Sequence, residues 1–354
     1  MITPSFSLTA TERVLPRMAL DFTTASLDPR VTFTRTGNTA TVTNSSGYVV
    51  PINADLPRFD YDAVTLACKG LLIEEQRINF LLQSEAFNAA NWTKTRASVV
   101  TDAIVSPDGT LDGEKIVEDT STNTHFISQP IASVNATYSF SVYVKAAERT
   151  VAYVGMSDGA TALVGTYINL STGSLTTAGG GSWTNVTAIS TNTGNGWWRV
   201  VVTGTRGAGT ATACNVYVAS GVGVISYTGN GTSGIYVWGA QLELGAFGTS
   251  YVPTTTATVT RNADVATMTG TNFSEWFNAS AGTFFINTNA RNADVLLTAG
   301  TYTLSANATA LKKYATTYTA DPSATQLAFG KGTIKAVNYY KQALIAAELA
   351  AITA

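Results

Sequence analysis

Between Ile78 and Pro253, apolar and polar residues alternate with a period of two over one short run after another. Tyr138–Val144 sets aromatic and β-branched residues against serine, and Val151–Met156, Gly165–Leu170, Trp197–Thr203, Ala213–Val218 and Ile235–Trp238 follow suit. A period of two sends successive side chains to opposite faces, so each run predicts a strand with one buried face. Ser171–Ser174 supplies a turn, and the glycine-rich Ala178–Gly181 and Asn230-Gly231 stretches read as rim loops. The runs recur about every dozen residues with no helical pattern between them, which predicts two packed sheets. The expected fold is all-β, with a jelly-roll β-sandwich over 78–253.

The flanks read differently. Residues 1–20 mix Pro4, Pro16, Thr and Ser without a period and predict an extended arm. Met18–Phe22, Val31–Arg35, Thr39–Thr43, Gly47–Val50 and Gly70–Glu74 predict short strands, with Asp28–Arg30 and Asp60–Asp62 as turns. Residues 1–77 thus form a small N-terminal β attachment unit, thin enough to need a neighbour to pack on. Beyond Pro253, Thr254–Thr260 reads as a linker or edge strand. Asn272–Phe277 and Gly282–Asn287 open a third unit over 254–354, which runs through the strand Ile334–Tyr340. Gln342–Ala351, rich in Ala, Leu and Glu, is the one expected helix; at about ten residues it must dock to persist.

Composition sharpens this picture. Of 354 residues 45% are apolar, enough to fill real cores, while only 12% are charged. The polar surface is therefore built from Thr, Ser, Asn and Gly, which suits strands and turns. A net charge of −2 implies no basic face and argues against nucleic acid as a main partner. No apolar stretch is long enough to span a bilayer, and the N-terminus lacks the charged and apolar regions of a signal peptide. Synthesis in a cytoplasm, without export by a leader, is the expectation. Cys68 and Cys214 match no metal-ligand spacing and read as two thiols; a disulfide between them stays open.

Catalysis is hard to assemble from these residues. His125 is the single histidine and has no nucleophile elbow beside it. The carboxylate pairs Glu74/Glu75 and Glu118/Asp119 are consecutive, so a strand sends their members to opposite faces. No enzyme is expected. Sugar binding needs flat aromatic faces with a few planar polar groups. Trp183, in the Gly181–Asn185 stretch, is the best candidate for an exposed platform, followed by Trp92 and Tyr227, with a packing role as the alternative for each. Alternation sends one of Trp197 and Trp198 inward, and Trp238 lies in an apolar strand and reads as core.

The order of several motifs carries a family likeness. Leu20-Asp-Phe22, Asp28–Arg35, Pro57–Asp62 and Gly70–Arg77 resemble the N-terminal region of bacteriophage virion proteins. Gln83–Asn88, Trp92-Thr-Lys94, Pro107-Asp-Gly109, Gly196–Val200, Trp238–Glu243 and Ser250–Pro253 resemble their carbohydrate-binding-module-like jelly roll. The third unit, through Lys335–Tyr340 and Ala347–Leu349, resembles a shortened laminin-G or concanavalin-like sandwich. The resemblance implies a structural virion protein: a tail-fibre, tail-tip or head-decorating component displaying a glycan-binding-like module for host adhesion. It implies other virion proteins and a host-surface glycan as partners, and a homo-oligomer, a trimer by analogy with fibres. No cofactor is expected from the residues; the resemblance allows a structural calcium shared by the two ends of the module, for which Glu85, Gln241 and Glu243 are the candidate oxygen ligands, with a hydrogen-bonding or solvated role for these three as the alternative. Two alternatives stand beside this reading: a purely structural capsid-decorating or baseplate protein, and a polysaccharide-degrading enzyme.

Overall fold

The computed structural model describes residues 15–37, 40–158, 163–180, 182–207, 211–288, 295–300, 302–305, 312–319 and 323–353. Most of the arm expected over residues 1–20, and Gly181 of the expected rim loop, lie outside them. The fold is all-β, with strands in antiparallel sheets and two short α-helices among the described residues. The chain divides into two compact units rather than three. One comprises Phe33–Ala266 with Thr23–Ser26; the other comprises Thr267–Ala354, Leu27–Thr32 and the N-terminal segment through Phe22.

The larger unit is built on a sandwich of thirteen strands. They are β1 (Thr93–Thr95), β2 (Ala97–Ile104), β3 (Gly113–Glu118), β4 (Thr122–Ala132), β5 (Thr137–Ala146), β6 (Val151–Ser157) and β7 (Leu163–Asn169). After these come β8 (Leu175–Gly179), β9 (Trp183–Asn192), β10 (Trp197–Arg206), β11 (Ala211–Ala219), β12 (Ser226–Thr228) and β13 (Gly234–Leu244). One sheet runs β9-β10-β5-β13-β3-β2; the other runs β8-β7-β6-β11-β4-β12, with β1 also paired to β4. Inner faces carry the residues of one alternation phase, among them Ile127, Phe140, Val142, Val154, Val202, Val216 and Val237, all fully buried in one core. Each such side chain contributes roughly 1.5–3 kcal/mol on leaving water, so this layer dominates the stability of the sandwich.

The segment read as a separate attachment unit shares the fold of the sandwich from residue 33 onward. Ala40–Thr43 pairs with Val49–Ile52, Arg58–Tyr61 with Cys68–Ile73, and Arg77–Asn79 with Val259–Arg261. Arg58–Tyr61 is thus a strand where the sequence suggested a turn. An ion cluster joins these pieces. Arg35, Arg58, Arg261 and Asp264 are all completely buried, and Glu74 is nearly so. Arg35 reaches Asp264 at 3.1 Å, Arg58 bonds Asp264 directly, and Arg58 and Arg261 approach Glu74 at 2.9 and 3.1 Å. Burial alone would raise the Glu74 carboxyl, but Arg261, Arg58 and the Ser250 hydrogen bonds outweigh it and hold it well below the usual carboxylate range. Charges so placed are stable only while every partner is present. The cluster therefore fixes 33–77 and 249–264 to one another. Cys68 and Cys214 form no disulfide.

In the smaller unit, Lys312–Tyr318, Gly282–Thr288, Gly332–Tyr340 and Met18–Asp21 lie side by side. Gln326–Phe329 pairs with Val295–Ala299, which pairs in turn with Tyr302–Ser305. Asn272–Phe277, expected to open this unit, holds a single helical turn, Thr271–Ser274, and presents Phe273, Trp276 and Phe277 to Phe284 and Tyr339. The expected C-terminal helix forms over Ala346–Thr353. It docks as its length demands: Leu349 and Ile352 pack on a buried patch of Phe285, Tyr340 and Leu344.

Candidate functional site

Both sheets of the sandwich use their second alternation phase for aromatic residues on the outer face, but to different ends. On the β9–β2 sheet, Tyr143, Trp197 and Trp238 cluster with Tyr251 and Val49, and all are buried. Tyr143 and Trp238 are cross-strand partners 5.2 Å apart, and Tyr251 lies 4.9 Å from Trp238. Gly239, at φ 60°, lets β13 bulge, so that Trp238 and Gln241 both point outward while Ala240 and Leu242 point into the core. Ser139, Ser141, Gln241 and Glu243 complete a row of polar groups on the same face, each at 0–1% exposure. This mixture of flat rings and planar polar groups suits a saccharide, yet the chain itself fills it. Gln241 donates to Glu243 at 2.8 Å and accepts from the Val252 amide at 2.6 Å, and Glu243 also accepts from the Thr249 amide and hydroxyl.

Those bonds decide the calcium expectation. Calcium takes six to eight oxygens, whereas the oxygens of Gln241 and Glu243 already accept from N–H and O–H donors. Glu85 does not join them: it accepts from Tyr251 Oη at 2.9 Å. Burial pushes the Glu85 carboxyl up to about 7, with Asp112 and Asp108 adding to the rise against the Tyr251 bond. Burial likewise raises Glu243. No group of three or more His, Cys, Asp or Glu side chains that could hold a metal ion occurs among the described residues. The set does not fit calcium.

The tryptophans chosen from sequence are core residues. Trp92 is completely buried, with its ring tilted against Phe87 at 4.9 Å and its Nε1 donating to Gln83 O at 3.0 Å. Trp183 is 4% exposed because it opens β9 rather than sitting in a loop, and its strand position points it into the sandwich. Trp197 lies in the outer cluster and Trp198 packs against the core, so alternation separates them as expected, though neither ring is open. Tyr227 is half-buried. Its hydroxyl donates to Glu118 at 2.6 Å, Arg149 lies 5.0 Å over its ring, and the His125 ring is 4.9 Å away. It is a structural strut at the rim. Glu118 and Asp119 diverge as the pattern required, Glu118 into this network and Asp119 toward solvent.

The other outer face holds a feature that sequence reasoning missed. Phe126 of β4 faces Tyr217 of β11, Tyr217 faces Tyr153 of β6, and Tyr153 faces Tyr167 of β7. Four rings thus form one in-register row across four adjacent strands, with centroids 4.5, 5.7 and 4.9 Å apart. Tyr153 lies flat because Gly155 and Gly165 make room: a Cβ on either would come within 3.0 Å of its ring. The Tyr153 hydroxyl donates to Ala178 O at 3.3 Å. Tyr167 and Tyr217 are 7% and 8% exposed, Phe126 more so. The Tyr167 and Tyr217 hydroxyls have no hydrogen-bond partner among the described residues. Asn215, in the next row, is buried and spends its amide NH2 on Ala213 O at 3.0 Å and Ser157 Oγ at 3.3 Å. The signal was present: each of β6, β7 and β11 carries one tyrosine in the phase opposite to its core-facing residues, which are Val154, Val164 with Ile168, and Val216 with Val218.

No family model matches the chain, and no curated protein matches it. Among solved structures, the chain is similar to the N-terminal CBM22-1-CBM22-2 tandem domain of Xyn10C from Paenibacillus barcinonensis, at 9% identity and a TM-score of 0.28, with 74% of this chain and 96% of that one covered.

Proposed function

We propose that the sandwich is a glycan-binding module carried on a phage particle for adhesion to the host surface, and that its recognition face is the Phe126–Tyr217–Tyr153–Tyr167 row. The observation that carries this reading is the row itself, with rigid rings in register and two hydroxyls left without partners. Aromatic surface packs on sugar C–H faces while the tyrosine hydroxyls order sugar hydroxyls. The virion setting is supported by the resemblance of Gln83–Asn88, Trp238–Glu243 and Ser250–Pro253 to phage proteins. Its partners are other virion proteins and copies of itself, with a trimer as the working assembly; repetition makes weak sugar sites effective through avidity. The module needs no cofactor and no catalytic group.

The test is binding of purified protein to host capsular and cell-wall polysaccharides, compared with Tyr167→Ala/Tyr217→Ala at matched thermal stability. Binding that falls at least tenfold in the double variant supports the reading. A second reading, a purely structural decorating part, is favoured by the self-filled face under Tyr251 and Val49; silence across all host polysaccharides would establish it. Shortening of the polysaccharide during the same assay would instead point to an enzyme.

A further inference from the structure

At one end of the sandwich two buried polar groups face the interior with their donors unused. Trp183 opens β9 and Arg206 closes β10, and the two are direct cross-strand partners, so their side chains leave the same inner face of the sheet. Arg206 is 1% exposed and Trp183 is 4% exposed. Arg206 Nη1 donates to Ser133 Oγ, which in turn bonds Thr212 Oγ1 at 2.9 Å. Among the described residues, Arg206 Nε and Nη2 and Trp183 Nε1 have no hydrogen-bond partner, and no carboxylate pairs with this guanidinium. The other wholly buried arginines, Arg35, Arg58 and Arg261, each meet an acid.

A guanidinium does not shed its proton to escape burial. Its charge must be met, and a buried donor left without a partner is the usual mark of an unseen ion or water. The unused Nε and Nη2 form one edge of a planar fork, which takes two acceptor positions side by side. All three unused groups donate and none accepts, which selects an anion over a cation or a neutral donor. The burial of both side chains favours a small one. We propose that Arg206 and Trp183 form a receptor for a small monovalent anion, a halide or a simple carboxylate, at this end of the jelly roll. The inference is independent of the glycan reading, since it uses the inner face of the opposite sheet. Such an ion binds the folded chain and not the unfolded one, so it stabilises the sandwich by mass action.

Two measurements test it. In crystals of the full chain soaked in bromide, an anomalous peak within hydrogen-bond distance of Arg206 Nε and Nη2 is expected. In solution, the Tm should rise saturably as chloride, bromide or acetate replaces gluconate at constant ionic strength. Saturation by acetate but not halide would identify the ligand as a carboxylate, and the reverse as a halide. Arg206→Met should abolish the dependence while folding normally without the ion. If that variant does not fold, Trp183→Phe should weaken bromide binding about tenfold, the effect of one hydrogen bond to a charged group. A water at the fork with no anomalous signal, a flat Tm series, or an unchanged response in Arg206→Met would each overturn the proposal.

Discussion

The two outer faces of the sandwich began with the same chemical material and ended differently. On the β9–β2 sheet, Tyr143, Trp197 and Trp238 lie among serines, Gln241 and Glu243, all buried, with Tyr251 and Val49 packed on the rings and the 249–252 backbone bonded to Gln241 and Glu243. On the β8–β12 sheet, the tyrosine row packs on itself, and the hydroxyls of Tyr167 and Tyr217 have no hydrogen-bond partner among the described residues. An aromatic-rich face is therefore not evidence of a binding surface by itself. What decides is how far the chain closes over it: the segments flanking the jelly roll seal one face, while on the other Tyr153, Tyr167 and Tyr217 are 2%, 7% and 8% exposed and Phe126 is the more open end of the row.

The largest effect should come from removing what holds the cover in place. Asp264→Ala leaves Arg35 and Arg58 buried without their shared carboxylate and should cost about 3–5 kcal/mol in chemical denaturation. A loss under about 1 kcal/mol would mean that the cover does not depend on this cluster. Next, Tyr251→Ala removes the ring packed on Trp238 and should cost about 3 kcal/mol. It should also raise Trp238 quenching by acrylamide without creating new polysaccharide binding; a gain of binding would make the covered face the recognition surface and reverse the comparison.

Titration separates the two kinds of buried acid. Glu85 and Glu114 are each raised to about 7, chiefly by burial. Raised acids hold protons in the folded chain that the unfolded chain has released, so their contribution is complete below about pH 4.5 and fades as pH climbs through about 7. Glu74 has the opposite sign, because its depressed carboxyl contributes above its ordinary value and loses that contribution as pH falls toward strong acid. Glu85→Gln should flatten the decline of stability between pH 4.5 and 7 by roughly 1–3 kcal/mol, and an unaltered slope would contradict the assignment. The smallest stability effect belongs to Tyr217→Phe, which removes a hydroxyl without an internal partner and should change stability by less than about 0.5 kcal/mol.

Much of the fold was legible because a period of two is a local property. β5, β6, β7, β10, β11 and β13 each contain a run recognised from alternation, and the terminal helix was recognised from composition. Trp183 was misplaced because its glycine-rich neighbours suggest a loop, and because β9 carries a bulge at Asn185, φ 53°, that breaks the alternation after its first residues. The ion cluster joins positions 35, 58, 74, 261 and 264, which no local pattern relates. The tyrosine row fell between these cases: each ring's face could be read within its own strand, but the register that aligns four of them is a long-range property. The same long-range closure explains why residues 33–77 belong to the larger unit and why Trp92 is wholly enclosed.

Affinity of the purified chain for host-surface polysaccharide, measured by calorimetry for the unaltered protein and for Tyr167→Ala/Tyr217→Ala, addresses the central claim. Saturable binding that drops at least tenfold in the variant, with the Tm within a few degrees of the parent, is the expected result. Equal binding by both proteins, or none by either, would contradict it.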